Sequence, residues 1–134
     1  MRDDDQQIIK FNQEKNFDHN DFFVSKANEH IIKFFDKWPN WEKKFLNISG
    51  EKFSGKSHLI NIFLKKFKGI KFEANLFDNN KLKQIKVHQN IIIENLNNNI
   101  DEKLFYTLIN TIDQDNKYLI ITSLDTIVDI DFKL

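Results

Sequence analysis

Gly50-Glu51-Lys52-Phe53-Ser54-Gly55-Lys56-Ser57 decides how this chain is read. Glycine, four residues, then glycine-lysine-serine is the phosphate-loop pattern. Its spacing has a chemical reason. Successive backbone N–H groups must wrap a phosphate, and glycine enters the required dihedrals without steric cost. In such a loop Gly55 lets the backbone approach a β-phosphate. Lys56 neutralises β- and γ-oxygens, and the Ser57 hydroxyl ligates Mg²⁺. The flanks agree with this reading. Phe45-Leu46-Asn47-Ile48-Ser49 reads as a short apolar strand. Leu59, Ile60, Phe63, Leu64 and Phe67 then recur at helical spacing, so residues 56–67 read as a helix whose positive end faces the loop. The chain has three glycines in 134 residues. Two bracket the loop, and Gly69 sits where a C-terminal helix cap belongs. The pattern predicts a bound nucleotide with Mg²⁺, its phosphates held by residues 50–57 and bordered by His58.

Outward from the loop, the same alternation continues. Ala27, Ile31, Phe34, Phe35 and Trp38 mark an amphipathic helix, with Ser25 as its N-cap and Pro39 ending it. Ile70-Lys71-Phe72-Glu73-Ala74 alternates like a strand. Residues 77–86 read as a short helix or turn. Asn90-Ile91-Ile92-Ile93 is a continuous apolar strand, as in a buried parallel sheet. Residues 101–112 read as a helix on Leu104, Phe105, Leu108, Ile109 and Ile112. Tyr118-Leu119-Ile120-Ile121-Thr122 is a further buried strand. Strand–helix units in this order predict an α/β fold with a parallel sheet of about four strands flanked by helices. Residues 1–19 read as a flexible polar tail broken by Ile8-Ile9-Lys10-Phe11. Residues 20–134 read as the nucleotide-binding core.

Composition excludes several classes. With no cysteine there is neither a disulfide scaffold nor a thiolate metal site, which fits a reducing, cytoplasmic setting. No apolar run reaches the ~18 residues of a membrane span. Twenty basic and twenty acidic residues cancel, so no global charge argues for direct DNA binding. Lys65, Lys66, Lys68 and Lys71 cluster, and the plainer reading is favourable charge at a helix C-terminus. The four histidines show no metal-ligand spacing.

A phosphate-loop enzyme also needs a strand ending in a carboxylate that holds the metal. Ile91-Ile92-Ile93-Glu94-Asn95 fits that position, with Glu94 as the metal residue. Asn95 falls where a hydrolase keeps its base, and an amide cannot accept a proton at neutral pH. Weak or absent hydrolysis is therefore expected. Thr122, at the end of the next strand, is a candidate contact to the γ-phosphate or its water.

The whole pattern resembles the DnaA/Hda family of bacterial AAA+ ATPases. Asp21-Phe22-Phe23-Val24-Ser25-Lys26-Ala27-Asn28 resembles the family's opening segment. Gly55-Lys56-Ser57-His58-Leu59 resembles its phosphate loop, and Ile93-Glu94-Asn95-Leu96 the Asp-Asn variant of its metal strand. Leu119-Ile120-Ile121-Thr122-Ser123 resembles the first sensor strand, and Trp38-Pro39-Asn40-Trp41 the stretch before the first strand. The resemblance implies that Phe23 and Val24 pack against adenine, so that the bound nucleotide is ATP or ADP with Mg²⁺. It gives Gln6-Gln7-Ile8-Ile9-Lys10-Phe11 the look of a clamp-binding peptide, with Gln6, Ile9 and Phe11 as anchors in a preformed groove. It implies an Hda-like regulator of replication initiation, tethered to the polymerase sliding clamp and acting on the DnaA initiator. The alternative is an active small P-loop ATPase or kinase. A third reading is an interaction module that has lost its nucleotide.

The chain departs from the family in three ways. Glu94 stands for aspartate, and Leu124 stands for the aspartate that follows Thr-Ser. The sequence also ends at Leu134, before the family's arginine finger, fifth strand and lid, so a truncated core is expected. In the family the phosphate-loop strand lies between the fifth strand and the first sensor strand. Without the fifth, that edge calls for cover by missing chain, by a partner or by the tail.

Overall fold

A computed structural model describes residues 7–10, 26–51 and 55–124. Five strands and four α-helices follow the sequence as β1 (Gln7–Lys10), α1 (Lys26–Asp36), β2 (Phe45–Ser49), α2 (Lys56–Phe67), β3 (Ile70–Glu73), α3 (Asn79–Gln84), β4 (Asn90–Leu96), α4 (Glu102–Gln114) and β5 (Tyr118–Ser123). Short 3₁₀ turns cover Ala74–Leu76 and Ile85–Val87. The strands form one sheet in the order β1-β2-β5-β4-β3, and every pairing is parallel. The expected α/β fold is therefore present, with helices on both faces.

Side-chain alternation sorts the core into two layers. Leu46, Ile48, Ile92 and Ile120 face one side and pack on Ile31 and Phe35 of α1 and on Leu59, Ile60 and Phe63 of α2. Phe45, Ile91, Ile93, Leu119 and Ile121 face the other side, against Leu104, Phe105, Leu108 and Ile112 of α4. All five residues of β2 are buried. Burying each large side chain contributes about 1.5–3 kcal/mol, which explains the unbroken apolar runs. Aromatic rings close the end of the sheet away from the loop: Trp38, Trp41 and Tyr118 meet at centroid distances of 5.6–5.7 Å.

The helix ends follow local chemistry. Asp101 accepts from the Leu104 N–H at 3.1 Å and starts α4, and Asp78 accepts from the Lys81 N–H at 2.9 Å and starts α3. α1 ends at Asp36 in a turn that runs to Pro39. Its expected cap, Ser25, lies outside the described residues.

Two features differ from the sequence reading. The first is the polar tail, whose residues Gln7–Lys10 form an edge strand. They pair in parallel with β2, from Gln7 against Leu46 to Lys10 against Ser49. Of the three ways to cover the edge of the phosphate-loop strand, the structure uses the tail. Four residues at an edge carry no periodic signature, so the polar composition around them predicts a flexible tail.

The second is Gly69. It is not the cap residue of α2; Lys68 is, with a positive φ of 54° but an extended ψ of 160°. Gly69 is required by close approach instead: a Cβ there would lie 2.7 Å from the Asn90 carbonyl oxygen. The Asn90 side chain uses that proximity. Its amide donates to the Phe67 and Lys68 carbonyls at 3.2 and 3.0 Å, satisfying the end of α2.

Candidate functional site

The site lies at the carboxyl ends of the central strands, where open parallel sheets place their ligands. β2 runs straight into the loop. The Gly50 N–H donates to the Ser123 carbonyl at 3.0 Å, extending the ladder one residue past β2. Gly55 then precedes α2 in the left-handed region, at φ 95° and ψ 9°. A side chain there would be strained, which explains the glycine. Gly55 brings no capping group, and the first turn of α2 holds no acidic residue. Its N–H groups and helix dipole thus favour an anion.

Lys56 is buried at the start of α2. Its ammonium donates to the Gly50 carbonyl and, at 2.7 Å, to the Glu51 carbonyl. Burial pushes it below the ordinary lysine value, and the charge of Glu51 opposes that shift. The cation is thus held at the mouth of the loop by loop backbone.

Ser57 and Glu94, 37 residues apart, converge: the Ser57 hydroxyl lies 3.4 Å from Glu94 Oε2. The Glu94 side chain is 8% exposed, and its Oε1 makes no hydrogen bond among the described residues. One hydroxyl and one carboxylate are hard oxygen donors of the kind Mg²⁺ takes from protein when phosphates supply the remainder. The residues present therefore fit the metal. Among the described residues there is no cluster of three or more His, Asp or Glu.

Asn95 stands at a bulge where the β4–β5 register shifts between Ile93 and Leu96. Its φ is 61°. The extra residue returns Leu96 to the face of Ile91 and Ile93 and re-aims the strand end beside the site. The Asn95 N–H donates to Thr122 Oγ1 at 3.0 Å, tying metal strand to sensor strand. Thr122 is buried and its hydroxyl keeps a proton to donate. His58 is exposed on the first turn of α2.

Sequence reasoning missed three neighbours. Glu73 on β3 stands opposite Glu94, and its carboxylate accepts from the Asn95 amide at 2.6 Å. Lys71, two residues earlier on the same face, places Nζ 3.7 Å from Glu94 Oε1. Asn47, fully buried on β2, donates to the Ile121 carbonyl and to Ser123 Oγ at 3.1 and 3.0 Å, bracing the strands under the loop. The alternation of β3 puts Lys71 and Glu73 on one face. Which strand lies beside β3, and in what register, was not in the sequence. The lysine cluster is partly spent: Lys66 pairs with Asp36 at 2.6 Å, and Lys71 with Glu94.

Lys52, Phe53, Ser54, Phe23, Val24, Gln6 and Phe11 lie outside the described residues. Ile9 lies in β1, opposite Ile48.

Fold and loop together define an α/β protein built on the phosphate-loop plan, with a parallel sheet and the loop between strand and helix. No protein-family profile matches the chain, and no curated protein does. A solved structure does. It is the crystal structure of a Streptococcus pyogenes serotype M3 protein provisionally described as a primosome component, with a TM-score of 0.60 and 15% identity. The match covers 95% of this chain and 80% of that one. At this identity the likeness is one of fold. Among the described residues no helix is long and apolar enough to cross a membrane.

Proposed function

We propose that this chain is an adenine-nucleotide-binding regulator of DNA replication initiation with weak or no intrinsic hydrolysis. The carrying observation is the meeting of Ser57 and the buried Glu94 beside Lys56, directly after a left-handed Gly55. Gly50, Gly55, Lys56 and Ser57 hold the phosphates, Ser57 and Glu94 hold Mg²⁺, and Thr122 faces the terminal phosphate. Phe23 and Val24 pack the base. The replication setting draws support from the fold shared with a protein described as a primosome component. In the Hda-like form of this proposal, Gln6, Ile9 and Phe11 dock on the sliding clamp and the core acts on the DnaA initiator. Those anchors overlap β1, so docking requires Gln7–Lys10 to leave β2.

Thermal unfolding with and without millimolar ADP and Mg²⁺ tests the core of this proposal. The wild-type midpoint rises with ligand, and Lys56→Ala abolishes the rise. An unchanged wild-type midpoint sinks the reading. A peptide of residues 1–15 is expected to compete for the clamp groove, and its Phe11→Ala form is not.

An active small ATPase or kinase is the second reading. Glu73 favours it, because its carboxylate stands against Asn95 and supplies the basic group that an amide lacks. Steady phosphate release, lost in Glu94→Gln, would select it.

A further inference from the structure

The two oxygens of Glu94 have different surroundings. Oε2 faces the Ser57 hydroxyl, whereas Oε1 has no hydrogen bond among the described residues and lies 3.7 Å from an ammonium, Lys71 Nζ. A buried carboxylate with one long contact to a neutral hydroxyl is poorly compensated. Lys71 reaches it from the neighbouring strand, at the place opposite Ile92 and on the same face. Its side chain is 40% exposed, so its head can move into solvent without a burial cost.

We infer that Lys71 is the resident counter-ion of Glu94 and yields to the divalent cation when metal-loaded nucleotide binds. The inference rests on the nucleotide reading of the site. A divalent ion on Glu94 and an ammonium at this distance repel each other. Metal binding must therefore displace the lysine, which weakens the site's demand for metal. With metal absent, Lys71 offsets the charge that Glu94 would turn toward the phosphates. Nucleotide then binds metal-free with a small penalty. Lys71 acts through Glu94 and is a positioning residue that sets metal dependence.

Calorimetric titration with ADP, in EDTA and over a MgCl₂ series, tests the inference. Relative to wild type, Lys71→Met should lower the Mg²⁺ concentration for half-maximal tightening by about two- to fivefold, the range of a half-exposed ion pair. Its loss of ADP affinity in EDTA should grow by a similar factor. Lys71→Arg should behave as wild type, and Lys71→Gln serves should the Met variant not fold. A purely structural lysine would shift the melting midpoint and leave the metal dependence alone. ADP binding with the same Mg²⁺ half-saturation and EDTA penalty in wild type and both uncharged variants overturns the role of Lys71 alone. Absence of ADP binding by wild type overturns the nucleotide reading and this inference with it.

Discussion

Lys56 connects burial to ligand binding. Burial lowers its pKa below the ordinary 10.5, with the charge of Glu51 acting against that shift. An unfolded lysine keeps its proton up to the ordinary value, and the folded one gives it up earlier. Between the two values the unfolded chain binds more protons, so stability of the free protein rises with pH across that alkaline window. Below the window both states are charged, and the fold carries the full cost of burying the charge. Lys56→Met lacks this proton linkage. Thermal unfolding from about pH 8 to 10.5 checks this: wild type should gain on the variant as pH rises. A constant difference would refute the linkage. A phosphate beside Nζ works in the opposite direction, because an anion favours the charged ammonium. The feature that makes Lys56 costly in the free chain is what makes it attract an anionic ligand.

At the scale of elements, the junction between α2 and β4 is tightly fitted. Gly69 touches the Asn90 backbone, and the Asn90 amide closes the last carbonyls of α2. Gly69→Ala forces a methyl against a backbone oxygen, which cannot rotate away. It should cost about 1–3 kcal/mol, read as a lower urea midpoint with unchanged slope. Asn90→Ala should cost about 1 kcal/mol through lost carbonyl bonds. A Gly69→Ala midpoint equal to wild type would mean the strands separate freely there.

The same joint marks the limit of what the sequence made legible. Strong signals carried over: apolar runs became β2, β4 and β5, helical spacing became α1, α2 and α4, and the phosphate-loop spacing brought Ser57 to Glu94. What stayed hidden depended on contacts between distant segments. Scarcity singles out Gly69 in the sequence, but the reason for a glycine there lies in Asn90, 21 residues on. The bulge at Asn95 has no local marker. Lys71 and Glu73 join the site only because β3 lies beside β4 in one particular register. Periodicity reports which face a residue takes, not which strand stands next to it.

For the whole molecule, the order β1-β2-β5-β4-β3 makes the phosphate-loop strand depend on a four-residue neighbour. β2 is bonded on one side by β5 through five register pairs and on the other by β1 through four. Removing β1 leaves β2 with a row of unpaired backbone groups on an apolar strand. Such an edge recruits other strands. The long connection through α1 holds β1 near its place at a modest entropic cost, because loop closure grows slowly with length. Deletion of residues 1–11 should keep the two core layers, which among the described residues are built on β2–β5 with α1, α2 and α4. It should lower the thermal midpoint and make the protein associate as its concentration rises. Sedimentation of the truncated and full chains over a concentration series reads this directly. If β2 then pairs with its counterpart in a second copy, added ADP should reduce the association, because a filled loop fixes the residues that follow β2. A truncated chain that stays monomeric, with the midpoint of the full chain, would show that the edge needs no cover and that β1 is free to serve a partner at no cost to the sheet.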